Sequence, residues 1–427
     1  MKRIAIVLIL GLIAVGAFAG GSQEAADSVD ELGGTITFWV MPNAPDETHM
    51  PWIEEKAAEF YELTGVTVEY EIVGWGDAWT KISTAVATGE GVDVFQVGTT
   101  WNPQFAATSG LEMIDINEFG GKDAFMKANY DSTTLDGTCY GVPWFAETRV
   151  LFYNKDMFEK AGATPPKTHE ELYAAADKII AEYGEGSAIA LAGTNAWDLI
   201  HNWAIILWGN GGQMLDDSNE KALLNSPEGV KAMQWYVDLV RNGYAAKACA
   251  EYNQPQADAA FINGNVAMCY MGPWNISNIE QENPGLNYGI VEPPKGPKGE
   301  ASFSGGSNLV VLKESRNKAA AKEWIKFLLE EDQIVEYTSS LSKMLPSKKD
   351  AYNNAAFDTD RWQLFKNVLS YSTAYAPLGV WGDIENAIVT EFKGVLIDYI
   401  NGDYTDSTVK THLDAAASKV DSALGKE

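Results

Sequence analysis

The chain has 427 residues, with 31 basic and 59 acidic side chains and a formal net charge of −28 at pH 7. This length predicts two or three domains, and an apolar fraction of 46% with a charged fraction of 21% excludes wholesale disorder. The acidic balance argues against nucleic acid, an anionic membrane surface or a polyanion as a partner. An acidic chain with 14 tryptophans is unusual, and the positions of these side chains direct the functional interpretation.

The N-terminal segment has the pattern of a secretory signal peptide. The basic head Met1–Arg3 precedes a short apolar run, and small residues before Gly20 predict cleavage at that point. We therefore expect a signal peptide at 1–19, a flexible leader at 20–33 and a periplasmic location. No cysteine follows the apolar run directly, so we expect no lipid anchor of the lipobox type.

Strand and helix patterns alternate at the start of the mature chain. Strands are predicted over 35–41, 66–73 and 92–98, and helices over 51–64 and 77–88, with Asp77 as the N-cap of the second helix. This order predicts an α/β fold with a parallel sheet, because each helix serves as a crossover between neighbouring strands. Ligands of such sheets bind beyond the carboxyl ends of the strands.

The rest of the chain repeats these patterns less regularly. One long strand is predicted over 142–153, and shorter strands are predicted over 266–271 and 308–312. Helices are predicted to begin at a capping box, Thr168 to Glu171, and at Ser226-Pro227, and to cover 317–329 and 383–400 before a short terminal helix. A proline-rich loop or linker is predicted over 293–297.

Sequence motifs of catalysis and of metal or cofactor binding are missing. The chain has no HExxH, GxSxG or Walker-type loop, and its four histidines lack metal-ligand spacing. The segment from Asp216 resembles a calcium loop only weakly, because Lys221 occupies the required glycine position, and a solvated turn is the better interpretation. We predict no metal, no cofactor and no enzymatic activity, while the abundant carboxylates leave an acid/base pair open.

Three cysteines, Cys139, Cys249 and Cys269, are too few for a disulfide framework in a chain of this length. Cys249 and Cys269 fall in one predicted domain, and they could pair in an oxidising compartment. The alternative is that all three are buried thiols. Both alternatives stand at this point.

Several tryptophans lie on predicted loops beside Gly, Asn and Asp. Trp75 and Trp101 follow predicted strands, and Trp208, Trp274 and Trp381 lie in later loops. A tryptophan on a loop has no core to fill unless it packs over a sheet edge, so these five are candidate ligand contacts. An indole face stacks on the C–H face of a sugar ring or on a cation.

Charged side chains share one face of the predicted long strand. Alternation places Phe145, Glu147 and Arg149 together on that face. An acid and a base two residues apart can neutralise each other in a salt bridge. The same pair can also bind hydroxyl groups in the plane of a sugar ring, and the two interpretations do not exclude each other.

The ordered segments resemble family 1 extracellular solute-binding proteins, the maltose-binding-protein-like receptors of ABC sugar importers. The resemblance covers essentially the whole mature chain. Its segments are ATGEGVDVF over 87–95, GVPWFAETRVLFYNKD over 141–156, FEKAG over 158–162, PPKTHEEL over 165–172, GNGG over 209–212, FINGNVAM over 261–268, GPW over 272–274 and the helix over 317–329.

The resemblance implies a two-domain periplasmic-binding-protein fold of type II, with hinge strands between the domains and a ligand cleft between them. Each domain is then discontinuous in sequence. We expect the first domain at 34–145 plus 301–345 and the second at 146–300 plus 346–427.

The resemblance also implies ligand contacts at individual positions. Glu147 matches a hinge-region acidic contact, and Trp274 and Trp381 match stacking aromatics of the second domain. With the residue patterns above, the candidate set is completed by side chains of the first-domain loops, the predicted strand over 142–153, the segment around 197–202, the loop that begins at residue 208 and the glycine turn of the second hinge strand: Asn43, Trp75, Thr100, Trp101, Asn102, Trp144, Arg149, Trp197, Asp198, His201, Trp208 and Gly306.

The leading hypothesis is a monomeric periplasmic receptor that closes around a neutral mono- or oligosaccharide and delivers it to the membrane permease of an ABC transporter. A polyamine or quaternary ammonium is the alternative ligand class, since aromatic rings with carboxylates also suit a cation. A secreted glycoside hydrolase is a third hypothesis, because aromatic platforms and paired acids suit that chemistry as well.

Overall fold

The computed structural model describes residues 32–194 and 196–426, without the side chains of 196–198. The predicted signal peptide at 1–19 and the leader up to residue 31 lie outside the described residues. The described chain folds around two β-sheets covered by helices, and this arrangement confirms the predicted two-domain α/β fold.

The strands belong to a six-stranded sheet, a four-stranded sheet and one small hairpin. Their bounds are β1 (Thr35–Val40), β2 (Thr67–Ile72), β3 (Val94–Gly98), β4 (Thr134–Leu135), β5 (Thr138–Cys139), β6 (Val142–Thr148), β7 (Val150–Asn154), β8 (Ile189–Ala190), β9 (Met268–Met271), β10 (Tyr288–Val291), β11 (Ser304–Val311) and β12 (Leu345–Pro346). The six-stranded sheet has the order β12-β6-β11-β3-β1-β2, and the four-stranded sheet has the order β10-β7-β9-β8.

Helices cover both sheets. Their bounds are α1 (Asp46–Thr64), α2 (Trp75–Thr88), α3 (Asn102–Ala107), α4 (Lys127–Asp131), α5 (Lys155–Ala161), α6 (His169–Tyr183), α7 (Ala196–Gly209), α8 (Pro227–Arg241), α9 (Gln254–Ile262), α10 (Asn275–Glu282), α11 (Lys318–Leu328), α12 (Glu331–Val335), α13 (Asp360–Tyr371), α14 (Trp381–Asn401) and α15 (Thr408–Ala423). We call the six-stranded sheet with α1–α4, α11 and α12 the first lobe. The second lobe is the four-stranded sheet with α5–α10, α14 and α15.

The predicted strand-helix alternation of the first lobe is confirmed, because β1 pairs in parallel with both β2 and β3. The predicted N-cap of α2 is wrong. Gly74 caps this helix, since its carbonyl oxygen accepts the amides of Asp77 at 2.9 Å and Ala78 at 2.9 Å. Asp77 therefore lies inside the first turn, where its carboxylate complements the positive end of the helix dipole.

The predicted long strand over 142–153 is also wrong, because it is two strands in two different sheets. β6 pairs with β11 as far as Thr148 opposite Ser304, and β7 pairs with β9 from Val150 opposite Met271. Arg149, between them, is the residue at which the chain leaves one sheet and enters the other. The hydrophobic pattern runs across this break because residues on both sides of it are buried.

Hydroxyl groups join three chain segments where they cross between the lobes. The Thr148 hydroxyl lies 3.0 Å from that of Ser302 and 2.8 Å from that of Ser372, and the Ser302 hydroxyl donates to the carbonyl oxygen of Arg149 at 2.7 Å. Backbone hydrogen bonds between Ser302, Ser304 and Thr373 connect the same segments. These contacts form the hinge.

Backbone hydrogen bonds of the segment that follows β12 indicate to which lobe that segment belongs. Ser347 accepts the amide of Met126, and the amide of Lys349 donates to Ala124, so this segment bonds to the first lobe. The predicted division at residues 345 and 346 stays a prediction. Helix α13 then packs against β6 and contacts the second lobe through Asn367, whose amide donates to Glu292 at 2.8 Å.

All three cysteines are buried free thiols. The structure thus favours the thiol alternative over a bond between Cys249 and Cys269. Burial raises the pKa of each thiol above its usual value, and this effect is largest at Cys269. Within the described residues, every helix is too short or too polar to cross a membrane.

Gly306 allows the hinge strands to approach closely. Its φ of +131° is unfavourable for other residues, and a Cβ there would lie 2.1 Å from the carbonyl oxygen of Phe145 on β6. We predict that Gly306→Ala lowers the free energy of unfolding by about 2 kcal/mol or more, from backbone strain and overpacking together. Urea unfolding measures the change.

Gly264→Ala is the matched control for this substitution. Gly264 has a φ of +74°, but a Cβ there meets no atom within 4 Å, so strain alone is expected, at about 1 kcal/mol. Equal losses of unfolding free energy in the two variants would show that β11 and β6 are not in tight contact at Gly306.

Candidate ligand-binding cleft

A narrow crevice separates the two lobes beside the hinge. One wall includes the connection between α13 and α14, residues 372–380, which we call the strap. The crevice is lined by Thr99, Thr100, Pro103, Ser132, Ser304 and the strap residues Ala374, Tyr375, Ala376 and Pro377. Its free volume of about 10 Å³ is close to that needed for one water molecule. The walls of the crevice are therefore almost in contact.

Tyr375 of the strap lies at the centre of an aromatic cluster beside this crevice. Its ring centroid is 4.7 Å from that of Trp381, 4.9 Å from Phe303, 5.5 Å from His201 and 6.2 Å from Trp208. Phe303 also stacks on His201, with the centroids 3.8 Å apart. Three predicted ligand residues, His201, Trp208 and Trp381, are thus brought together around one ring.

Burial keeps the His201 imidazole in its neutral form. Its pKa is far below the usual value because the ring is desolvated, and the nearby Arg149 guanidinium lowers it further. One ring nitrogen, Nδ1, lies 2.7 Å from the hydroxyl of Tyr375. The neutral ring holds the strap at hydrogen-bond distance without adding positive charge to the cleft.

A buried carboxyl supports the Trp381 indole. The indole Nε1 donates to Oε1 of Glu385, 2.8 Å away, one helical turn along α14. Burial raises the pKa of Glu385 to about 8, and this hydrogen bond offsets only part of the rise. At neutral pH the carboxyl is mostly protonated, so it fixes the indole ring without placing a negative charge beside it.

Glu147, Arg149 and Trp274 form a second group at the hinge. The Arg149 guanidinium is paired with the Glu147 carboxylate and lies over the Trp274 ring, 4.5 Å from its centroid. The predicted salt bridge is therefore present. Little of this ion pair reaches solvent, since 4% of the Arg149 side chain and 13% of the Glu147 side chain are exposed.

Two further predicted residues form an aromatic wall on the first lobe. Trp101 is buried, and its ring meets the rings of Trp75 and Trp79 edge to face, with centroids 5.8 and 5.3 Å apart. Trp75 is 39% exposed and donates to the carbonyl oxygen of Pro42. Thr100, next to Trp101, lines the crevice itself.

The structure places three other candidates away from the crevice surface. Trp144 is fully buried in the first-lobe core, stacked on Tyr337 with centroids 4.4 Å apart. The Asn43 amide donates to Gln96 at 3.0 Å and to the Tyr337 hydroxyl at 2.9 Å. Asn102 is buried beneath β11. The sequence signal of a polar or aromatic residue after a strand does not distinguish such internal contacts from ligand contacts.

The remaining candidates are a backbone position and two side chains outside the described part of the chain. At Gly306 the backbone of β11 lies close to that of β6, and there is no room for a Cβ atom. Trp197 and Asp198 lie in α7, but their side chains are not among those that the structure describes.

Phe303 and Tyr375 are the residues that sequence reasoning missed. Both are aromatic residues beside Ser or Ala, close to Gly or Pro, in segments between regular elements. The same loop criterion that selects Trp75 and Trp101 would have selected them if it had been applied to all aromatic residues.

Small residues allow the strap and α14 to contact the first lobe directly. A Cβ on Gly379 would lie 2.6 Å from the Cβ of Ala107, and a Cβ on Gly382 would lie 2.5 Å from the side-chain oxygen of Gln104. Both partners belong to α3. Helix α3 and the start of α14 are therefore in close contact.

Glu385 makes the stability of the protein depend on pH. Its carboxyl has a pKa of about 8 in the folded protein, against 4.5 for the exposed group. The stability that the proton contributes is complete below pH 4.5 and is lost as the pH rises through 8. We predict that Glu385→Gln, which keeps an oxygen acceptor for Trp381, raises the melting temperature relative to wild type increasingly from pH 5 to pH 9, by at least about 2 °C.

Thermal melts of both proteins across that pH range measure this difference. Glu55→Gln is the control, because the Glu55 side chain is 62% exposed, and its difference from wild type should stay constant. A constant difference for the Glu385 variant as well would contradict a protonated buried carboxyl.

Comparison with known proteins identifies the family. Residues 44–334 match the family model of the bacterial extracellular solute-binding protein. The chain is 30% identical to the diacetylchitobiose-binding protein DasA of Streptomyces coelicolor over 83% of each chain. It is 28% identical to a putative binding protein of Brucella abortus, over 88% of this chain and 90% of that protein.

A solved structure supports the same assignment. An ABC transporter solute-binding protein of Thermotoga lettingae, bound with α-D-tagatose, superimposes with a TM-score of 0.82 at 27% identity and covers 92% of this chain and 100% of its own. The family match spans more than half of the chain, and the two-lobed α/β fold agrees with it. The chain is therefore a member of the bacterial extracellular solute-binding protein family.

Proposed function

We propose that this protein is a periplasmic receptor that binds a neutral mono- or oligosaccharide between its lobes and delivers it to the permease of an ABC transporter. The observation that carries the proposal is the aromatic cluster around Tyr375, which lies beside a crevice lined by hydroxyl groups. Aromatic faces stack on the C–H face of a sugar ring, and hydroxyl groups bond its edge. The named ligands of relatives support the same class, since they are diacetylchitobiose and tagatose.

Closure follows from contacts that a ligand makes to both lobes at once. The hinge at Thr148, Ser302 and Ser372 connects the lobes through three chain segments. A sugar held by Thr100 on one side and by the Tyr375 cluster on the other stabilises the closed form by its differential affinity for the two forms. The closed form is then the state that a permease recognises, and the receptor acts as a monomer.

The charges in the cleft favour a neutral ligand over a polyamine. The Arg149 guanidinium already occupies one face of the Trp274 ring, 4.5 Å from its centroid. The Glu147 carboxylate is paired with that guanidinium, and Glu385 is mostly protonated at neutral pH. A cationic ligand would therefore displace a cation without gaining a free carboxylate among these groups.

The same two acids argue against a glycoside hydrolase. That chemistry needs one carboxyl to protonate the leaving group and a second to act as base or nucleophile on the opposite side of the bond. Glu147 is held by Arg149, and Glu385 bonds the Trp381 indole from within the second-lobe core. The family and the compared proteins are binding proteins, and we infer that this chain binds sugar without cleaving it.

Titration with a sugar panel tests the proposal. We expect at least one of tagatose, glucose, maltose, N-acetylglucosamine and diacetylchitobiose to change tryptophan fluorescence and to raise the melting temperature. Binding to the folded state alone adds about 2.7 kcal/mol of stability at a ligand concentration of 100 Kd. Spermidine and choline are the comparison ligands. A response to these cations and to no sugar would overturn the carbohydrate assignment.

Tyr375→Ala tests the aromatic cluster. Loss of the ring removes the stacking surface at the centre of the cluster, so we expect the affinity for the bound sugar to fall about 10-fold or more, since an aromatic contact contributes about 0.5–1.5 kcal/mol beyond its buried area. Calorimetry measures Kd. Tyr61→Ala, at a tyrosine that is 50% exposed on α1, should leave Kd unchanged. Equal affinities for both variants would place the sugar elsewhere.

A further inference from the structure

Ser304 has an unused hydroxyl at the edge of the crevice. The residue is the first of β11 and is 3% exposed, and its backbone amide donates to Thr373 at 2.9 Å. The Oγ atom is buried and has no hydrogen-bond partner among the described residues. Ser304 nevertheless lines the interlobe crevice together with the strap residues Ala374 to Pro377. A buried polar atom without a partner, in a residue that lines a cleft, indicates a group that is bound there.

Polar side chains of the first lobe form a connected set of hydrogen bonds behind Ser304. The Asn308 amide donates to Ser132 Oγ at 3.0 Å, and the Ser132 hydroxyl donates to the carbonyl oxygen of Asn129 at 2.7 Å. The Asn129 amide donates to the carbonyl oxygen of Gly305, next to Ser304, at 3.1 Å. Ser132, like Ser304, lines the crevice.

Hydrogen-bonding capacity also remains unused beneath this surface, inside the first lobe. Asn129 Oδ1 and Asn308 Oδ1 are buried acceptors, and Asn102 Nδ2 is a buried donor, all without partners among the described residues. The amide of Asn308 donates to Asn102 Oδ1 at 3.2 Å, so these atoms belong to one connected set. A hydroxyl group donates one hydrogen bond and accepts two. A ligand hydroxyl in the crevice can therefore either donate to Ser304 Oγ or accept from it, while the asparagines lie behind the two serines.

We propose that Ser304 and Ser132, supported by Asn129 and Asn308, form a hydroxyl-binding wall on the first lobe that recognises the hydroxyl edge of the sugar. This proposal rests on the proposed function. The aromatic cluster around Tyr375 would hold the apolar face of the same ring. Each side of the crevice then recognises a different part of the ligand, and full closure requires a ligand that has both parts, a neutral polyol with an apolar ring face.

Ser304→Ala tests this wall, because it removes one oxygen and leaves the backbone bonds of β11 in place. If the partner of Oγ is the ligand, the affinity for the sugar that wild type binds most tightly in the panel falls about 5-fold or more, and the melting temperature of the unliganded protein stays the same or rises. Ser187→Ala is the control, since Ser187 is also buried (8% exposed, against 3% for Ser304) but its hydroxyl donates to the carbonyl oxygen of Gly184 at 2.6 Å. The control should melt at a lower temperature and bind the sugar as wild type does.

Monodeoxy analogues of that sugar provide a second measurement. Wild type should lose affinity for the analogue that lacks the recognised hydroxyl, and the Ser304 variant should bind this analogue and the parent sugar equally. Unchanged affinity in the Ser304 variant, or a fall in its melting temperature like that of the Ser187 variant, would overturn the wall and indicate a structural water as the partner. If wild type binds no sugar of the panel, the proposed function fails before the wall is tested.

Discussion

The structure depends on the hydrogen bonds where three chain segments cross between the lobes. The hydroxyls of Thr148, Ser302 and Ser372 meet at this point, and Ser302 also bonds the backbone of Arg149. Each segment passes from one lobe to the other here. The residues next to the crossings therefore lie at the boundary of both lobes. Phe303, Ser304 and the strap lie directly beyond the crossings, so the crevice wall is built from the hinge itself.

This location explains the chemistry of the cleft. Charges are neutralised near the hinge, by the pairing of Glu147 with Arg149 and by burial of His201 and Glu385. On the first-lobe side of the crevice, the buried polar atoms without partners among the described residues belong to hydroxyl and amide groups, those of Ser304, Asn129 and Asn308, while Arg149 Nε at the hinge is a further one. A closed cleft excludes water, and an uncompensated charge would be costly there, whereas neutral hydrogen-bonding groups can be satisfied by a neutral polyol. The net charge of −28 therefore says little about the ligand.

Prediction from sequence succeeded where local pattern and tertiary role coincide. The alternation in β2 and the capped start of α6 at Thr168 reflect short-range geometry, and both are found in the structure. Prediction failed at Arg149, because burial on both sides of the break hides a change of sheet. It also selected Trp144, which fills a core, and missed Tyr375, whose importance comes from neighbours distant in sequence. The position of a side chain on a loop indicates that it faces the cleft only when the location of the cleft is already known.

The sequence by itself determined the fold class and the family, since these follow from periodicity and ordered segments, and its aromatic content led to the proposal of a sugar ligand. The tertiary structure alone decided which aromatic residues meet, which polar atoms lack partners and where the chain crosses between lobes. The physical reason is that stacking and hydrogen bonding act over a few ångströms. The contacts of Tyr375 join residues separated by up to 174 positions, as in its hydrogen bond with His201, and no local pattern records such distances.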